Sequence, residues 1–269
     1  MTPSALSREE QAQVMAYLEQ QISGSVSLEV WTRKESPLIR TDREPCVHCE
    51  DVVSVARQVA ALHPALSVTL YDLDRHERRA QEAGIDRPPT TVLRGRGGRQ
   101  FRITGLWAGL LFPPTLDVIA ILSAGATPLS DDTRAALASL EQDVTVEVLG
   151  AAYDAYSAHM LRLVAAFAVE SKRVQASFVN VANYPLLAAA RSVEEIPVVF
   201  IGNKRFVGVW DGPELAEQIR RVAGGDDTPV SRGNPMSGPF YTDEEIAALA
   251  AERLEEPPRT AGGLYLPGR

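Results

Sequence analysis

Cysteine is almost missing from this chain: Cys46 and Cys49 are the only two among 269 residues. Two cysteines cannot build the multi-bridge framework of small secreted domains, and as a single Cys-x-x-Cys they leave a redox pair or half of a metal site. The metal reading needs two more ligands. His48 lies inside the motif, while His63, His76 and His159 are scattered without ligand spacing. Long apolar runs are missing too, and with none approaching about 18 residues the sequence holds no membrane-spanning helix. The start, Met1 to Glu10, lacks the apolar core of a secretory signal, so a cytoplasmic setting is expected. No block of Lys or Arg stands out, and a formal charge of −8 argues against nucleic-acid binding. What is present, 45% apolar and 23% charged residues, is the composition of a soluble globular protein.

The cysteine pair opens an apolar-periodic run with Val52, Val55, Val59 and Leu62 on one side, so the dithiol sits at a helix N-terminus. Unpaired amides and the positive end of the helix dipole stabilise a thiolate there. The pattern predicts a helix from Ser7 to Gln21, closed by a Ser7/Glu10 capping box. It then predicts a strand at Val26–Thr32, the dithiol helix, a strand at Ser67–Tyr71, a short helix at Arg75–Ala83, a hairpin across Gly95 to Gly98, and a closing helix to Leu122. After a linker at Ser123–Leu129, the same helix-then-βαβαββα order recurs as far as Val222. Spacing tests the repeat. Cys46 stands 43 residues before Pro89, and Asp154 stands 43 residues before Pro197, so Asp154 and Ser157 replace the two cysteines in the second copy. The expected units are 1–124 with the Cys-x-x-Cys, 130–223 without it, and a linker with a short helical tail over 224–269.

With these residues in view, both halves resemble thioredoxin folds. Gly84-Ile-Asp-Arg-Pro-Pro-Thr90 is similar to that family's Gly-Ile-x-x-x-Pro-Thr segment, and Ser192 to Val198 is a looser version. Two such folds in tandem resemble the protein disulfide oxidoreductases of the glutaredoxin-like group, over about residues 10 to 223. The resemblance implies an α/β protein of two tandem thioredoxin folds acting as a thiol–disulfide oxidoreductase, with no cofactor beyond a redox-active Cys46–Cys49 disulfide. It implies Cys46 as the more exposed, attacking thiolate and Cys49 as the resolving thiol. Val47 and His48 would tune the potential, a protonated His48 making the disulfide more oxidising, as in periplasmic dithiol oxidants. Glu29 falls where thioredoxins carry a carboxylate beneath the dithiol. Glu147 holds the same place in the dithiol-free half, so a structural cause competes with a catalytic one. Pro88, Pro89 (expected cis) and Thr90 would bind substrate. Pro88 departs from the pattern, because it lacks the N–H that pairs with a bound peptide, and weaker or differently oriented peptide binding follows.

The family usually has a dithiol in each half. Here internal relay is excluded, so electrons must be exchanged with protein substrates and with a separate reductase or oxidant. About ten residues are inserted before Cys46, since Glu29 and Glu147 lie 118 apart while the motifs lie 108 apart. Asp154 and Ser157 read as helix-capping residues, and Trp31 and Trp107 as core. Two other roles compete: a dithiol-relay module of a peroxide-reducing system, and a non-catalytic client-binding or chaperone module. Oligomeric state, a homodimer included, is left open by the sequence.

Overall fold

The computed structural model of the chain describes residues 6–34, 46–226 and 228. The expected tail helix and most of the inserted loop before Cys46 lie outside them. Helix α1 (Arg8–Gln21) starts as its pattern requires. The Glu10 N–H donates to Ser7 Oγ at 3.2 Å, and the Ser7 N–H donates to the Glu10 carboxylate at 2.7 Å. There follow β1 (Val26–Thr32), α2 (Cys49–Ala61), β2 (Leu66–Asp72), α3 (Glu77–Glu82), β3 (Thr90–Arg94), β4 (Gln100–Thr104) and α4 (Phe112–Ala124). Pro113 and Pro114 fall in the first turn of α4, where an absent N–H breaks no helical bond. The second series is α5 (Asp131–Ala138), β5 (Val144–Gly150), α6 (Ala155–Glu170), β6 (Val174–Asn180), α7 (Pro185–Ala190), β7 (Val198–Ile201), β8 (Lys204–Val207) and α8 (Gly212–Ala223).

Among the described residues the eight strands form one sheet in the order β2-β1-β3-β4-β6-β5-β7-β8. Each half repeats one internal plan. Its first strand runs parallel to its second and antiparallel to its third, and the third pairs with the fourth as a hairpin. The halves meet where β4 runs parallel to β6, with Arg102, Ile103 and Thr104 opposite Ser177, Phe178 and Val179. They therefore share backbone pairing as well as the covalent linker.

Alternation along the strands separates two faces. Leu28 and Val30 of β1 face a core continuous across both halves, which also takes in Val52 and Val59 of α2, Ile119 of α4, Leu161 of α6 and Ile219 of α8. Glu29 and Trp31 point the other way. Trp31 packs with Leu73, Ala80, Ile85 and Val92 beneath α3, and Leu149, Val179, Val181 and Tyr184 form the corresponding cluster at α7. Trp107 is also buried, its indole N–H donating to Thr91 Oγ1 at 3.1 Å. Both tryptophans are core residues.

Candidate active site

Cys46 and Cys49 are joined as a disulfide just where β1 hands the chain to α2. Cys49 is the first residue of α2 and His48 its N-cap, so both sulfurs lie at the end of a 13-residue helix where anionic sulfur is favoured. The Arg33 amide, one residue past β1, donates to Cys49 Sγ at 3.2 Å and ties the strand end to the dithiol. The expectation that Cys46 is the more exposed cysteine is corrected. Each is 6% exposed. Among the described residues, the Arg33 hydrogen bond to Cys49 Sγ separates the two.

The other predicted residues divide clearly. Val47 stands 74% exposed between the cysteines. His48 Nδ1 lies 2.9 Å from Asp51 Oδ2. The contact orients the imidazole at the start of α2. The Pro88–Pro89 peptide bond is cis, as is Ile196–Pro197 in the second half. Pro88 and Pro89 line a groove of about 440 Å³ together with Val47 and His48. Thr90 does not line it: it is buried, its hydroxyl donating to the Arg87 carbonyl at 2.7 Å and lying 3.1 Å from Thr104 Oγ1. Glu29 is not brought to the dithiol. It sits on the sheet face opposite α2, 3.1 Å from Arg94 Nε and 3.8 Å from Arg79 Nη2. Glu147 repeats this arrangement with Arg191, as a shared structural cause requires.

Sequence reasoning missed the far wall of the groove, which the dithiol-free half supplies through Asn183, Tyr184, Leu186 and Leu187. The buried Tyr184 donates its hydroxyl to the carbonyls of Pro88 at 3.1 Å and Pro89 at 3.3 Å. Asn183 Oδ1 accepts from the Leu106 N–H at 2.8 Å, fixing the same segment to the first half. Asp86 and Arg87 form the rim. The Arg87 guanidinium holds the Asp86 carboxyl below its usual range. Only the His48/Asp51 pair carried a signal in the sequence, its three-residue spacing at a helix start. Tyr184 lies 96 residues from Pro88, with no local mark of the contact.

In the dithiol-free half, Asp154 caps α6, accepting from the N–H groups of Tyr156 at 3.3 Å and Ser157 at 2.7 Å. Ser157 Oγ donates to the same carboxylate and accepts the Ala151 N–H at 3.0 Å. Among the described residues, no three His, Cys, Asp or Glu side chains converge as a metal site would, and no helix is long and apolar enough to cross a membrane.

No family model matches the sequence, and comparison with curated proteins gives no match. Solved structures do match. A protein disulfide oxidoreductase from Aeropyrum pernix K1 superposes with a TM-score of 0.72 at 23% identity, over 83% of this chain and 96% of its own. The NTD_N/C domain of the alkylhydroperoxide reductase AhpF from Enterococcus faecalis superposes with a TM-score of 0.69 at 14% identity, over 79% of this chain and 99% of its own. Sso1120 from Sulfolobus solfataricus gives a TM-score of 0.51 at 11% identity. The fold is thus α/β, two tandem thioredoxin folds fused through one sheet.

Proposed function

We infer that the protein is a thiol–disulfide oxidoreductase that exchanges electrons with protein disulfides and dithiols through Cys46 and Cys49. One observation carries the reading: the chain's only two cysteines form a disulfide at a helix start, and Val47 and His48 between them line one groove with the cis-bonded Pro88–Pro89. In the reducing direction the Cys46 thiolate attacks a substrate disulfide, forming a mixed disulfide and releasing one substrate thiolate, which takes a proton. The Cys49 thiolate then attacks Cys46 Sγ, closing the Cys46–Cys49 bond and releasing the second substrate thiolate. Two electrons pass to the substrate, and a separate protein dithiol restores the reduced pair. The oxidising direction is the reverse, with a separate oxidant. The Arg33 amide stabilises sulfur charge on Cys49 during resolution. No cofactor is needed beyond the disulfide.

A relay role in a peroxide-reducing system is the second reading, favoured by the likeness to the AhpF domain over 99% of that domain's length. Trapping tests the shared chemistry. Cys49→Ser protein incubated with a disulfide substrate is expected to accumulate a mixed disulfide at Cys46. Accumulation only in Cys46→Ser protein, at Cys49, would reverse the assigned roles. Native protein that only suppresses client aggregation, with no thiol exchange, would favour a chaperone module instead.

A further inference from the structure

The thioredoxin-like main-chain contact is compromised at Pro88 in two independent ways. Pro88 has no N–H to donate, and its carbonyl already accepts the Tyr184 hydroxyl. Pro89 offers nothing in its place. It too lacks an N–H, and its carbonyl takes both Tyr184 and the Gly105 N–H, the latter at 2.8 Å. Main-chain pairing at Pro88 and Pro89 is thus reduced, and side chains of the groove carry more of the contact with a substrate.

Polar side chains line the groove too (Arg33, His48, Asp86, Arg87 and Asn183), and its exposed apolar side chains come from opposite walls. Val47, inside the dithiol motif, is 74% exposed, and Leu186 on α7 is 67% exposed, with Leu187 behind it. Single exposed apolar residues are ordinary. These two flank one groove of about 440 Å³, within the size range of ligand pockets, and Tyr184 anchors the second wall to the first.

Resting on the oxidoreductase reading above, we propose that Leu186 and Leu187 of the dithiol-free half, held in place by Tyr184, form with Val47 a specificity pocket. It selects protein disulfides that carry an apolar residue beside the reacting cysteine. The second half thus contributes substrate choice, and the first half contributes the chemistry.

The test uses two cystine peptides identical except for leucine or serine next to the cysteine. Native full-length protein is expected to reduce the leucine peptide with a kcat/KM about tenfold higher, the usual scale for one apolar group in a pocket. Leu186→Ser, a change at an exposed position, is expected to bring that ratio close to one through KM. An unchanged ratio in Leu186→Ser, or no preference in native protein, overturns the proposal. Binding without chemistry keeps it separable from the oxidoreductase reading. Protein carrying Cys46→Ser and Cys49→Ser should still bind the leucine peptide about tenfold more tightly than the serine-neighbour peptide, the cysteine of each peptide being replaced by alanine. Loss of peptide reduction with that binding preference intact would sink the oxidoreductase reading alone. Equal binding of the two peptides would sink the pocket alone.

Discussion

The two halves solve one local problem with different atoms. In the first, the Arg33 N–H donates to Cys49 Sγ, which is bonded to Cys46 Sγ. In the second, the Ala151 N–H donates to Ser157 Oγ, which is hydrogen-bonded to Asp154. Arg33 and Ala151 are equivalent positions, as are Cys49 and Ser157. A polar link stands where the first half has a covalent one, and α6 begins at Ala155, two positions earlier in the repeat than α2 does at Cys49. Gly150 shows how closely this is fitted: a Cβ there would stand 2.4 Å from Ser157 Oγ. A serine and a carboxylate thus link strand end to helix start without cysteine, and the proposed redox chemistry would be a use that only the first copy makes of this position. The dithiol-free copy contributes α7 to the groove instead.

The sharpest way to break this comparison is to exchange the link. Protein carrying Asp154→Cys and Ser157→Cys is expected to form a second disulfide, so thiol titration should find four thiols after reduction and none after oxidation. Two persistent thiols would show that the junctions differ in shape. Next in size, Ser157→Ala strands the Ala151 N–H in a buried site, at a cost of about 1–3 kcal/mol. Measured in reduced protein, where no disulfide is lost, Cys49→Ser keeps a partner for Arg33 and should cost less than Ser157→Ala. Denaturant unfolding of the two variants measures the difference, and equal losses would contradict the assigned hydrogen bonds. Pro88→Ala supplies a donor that the groove lacks. Peptide affinity should then rise by about fivefold for a hydrogen bond worth about 1 kcal/mol; unchanged affinity would mean that peptides do not lie along residue 88.

The smallest effect concerns pH and only the second half. His159 donates to the Trp210 carbonyl at 3.2 Å, and burial pushes its pKa below the ordinary histidine value, more than that hydrogen bond raises it. The unfolded chain then binds more protons than the folded one near pH 6.5. Stability is fully present above that pH and declines as pH falls through it. The melting temperature should drop modestly between about pH 7 and pH 5.5, and His159→Gln should reduce the drop. An identical pH dependence in the variant would remove His159 as its source.

How much of this was legible in the sequence depended on distance along the chain. Local marks read correctly: the Ser7/Glu10 box, the strand at Val26–Thr32, and the paired intervals ending at Pro89 and Pro197. Each rests on backbone preferences or side-chain periods within a few residues, or on a repeat that gives two readings of one pattern. The groove was legible on its first-half side, where Val47 and His48 of the dithiol motif line it with Pro88 and Pro89. Glu29 shows the limit. Its position on the strand was clear, but strand alternation put it on the face away from α2, where Arg94 and Arg79 meet it. Thr90 turned inward to Thr104 across the β3–β4 ladder. The wall built by Tyr184 and Leu186 depends on β4 pairing with β6, a register chosen by the packing of both halves together.

The central claim is that one dithiol, in one half, performs the exchange. The most direct measurement is insulin reduction by dithiothreitol, followed as turbidity, with native protein and with Cys46→Ser. The account predicts acceleration by native protein and the uncatalysed background rate with Cys46→Ser. Equal rates for the two would contradict it.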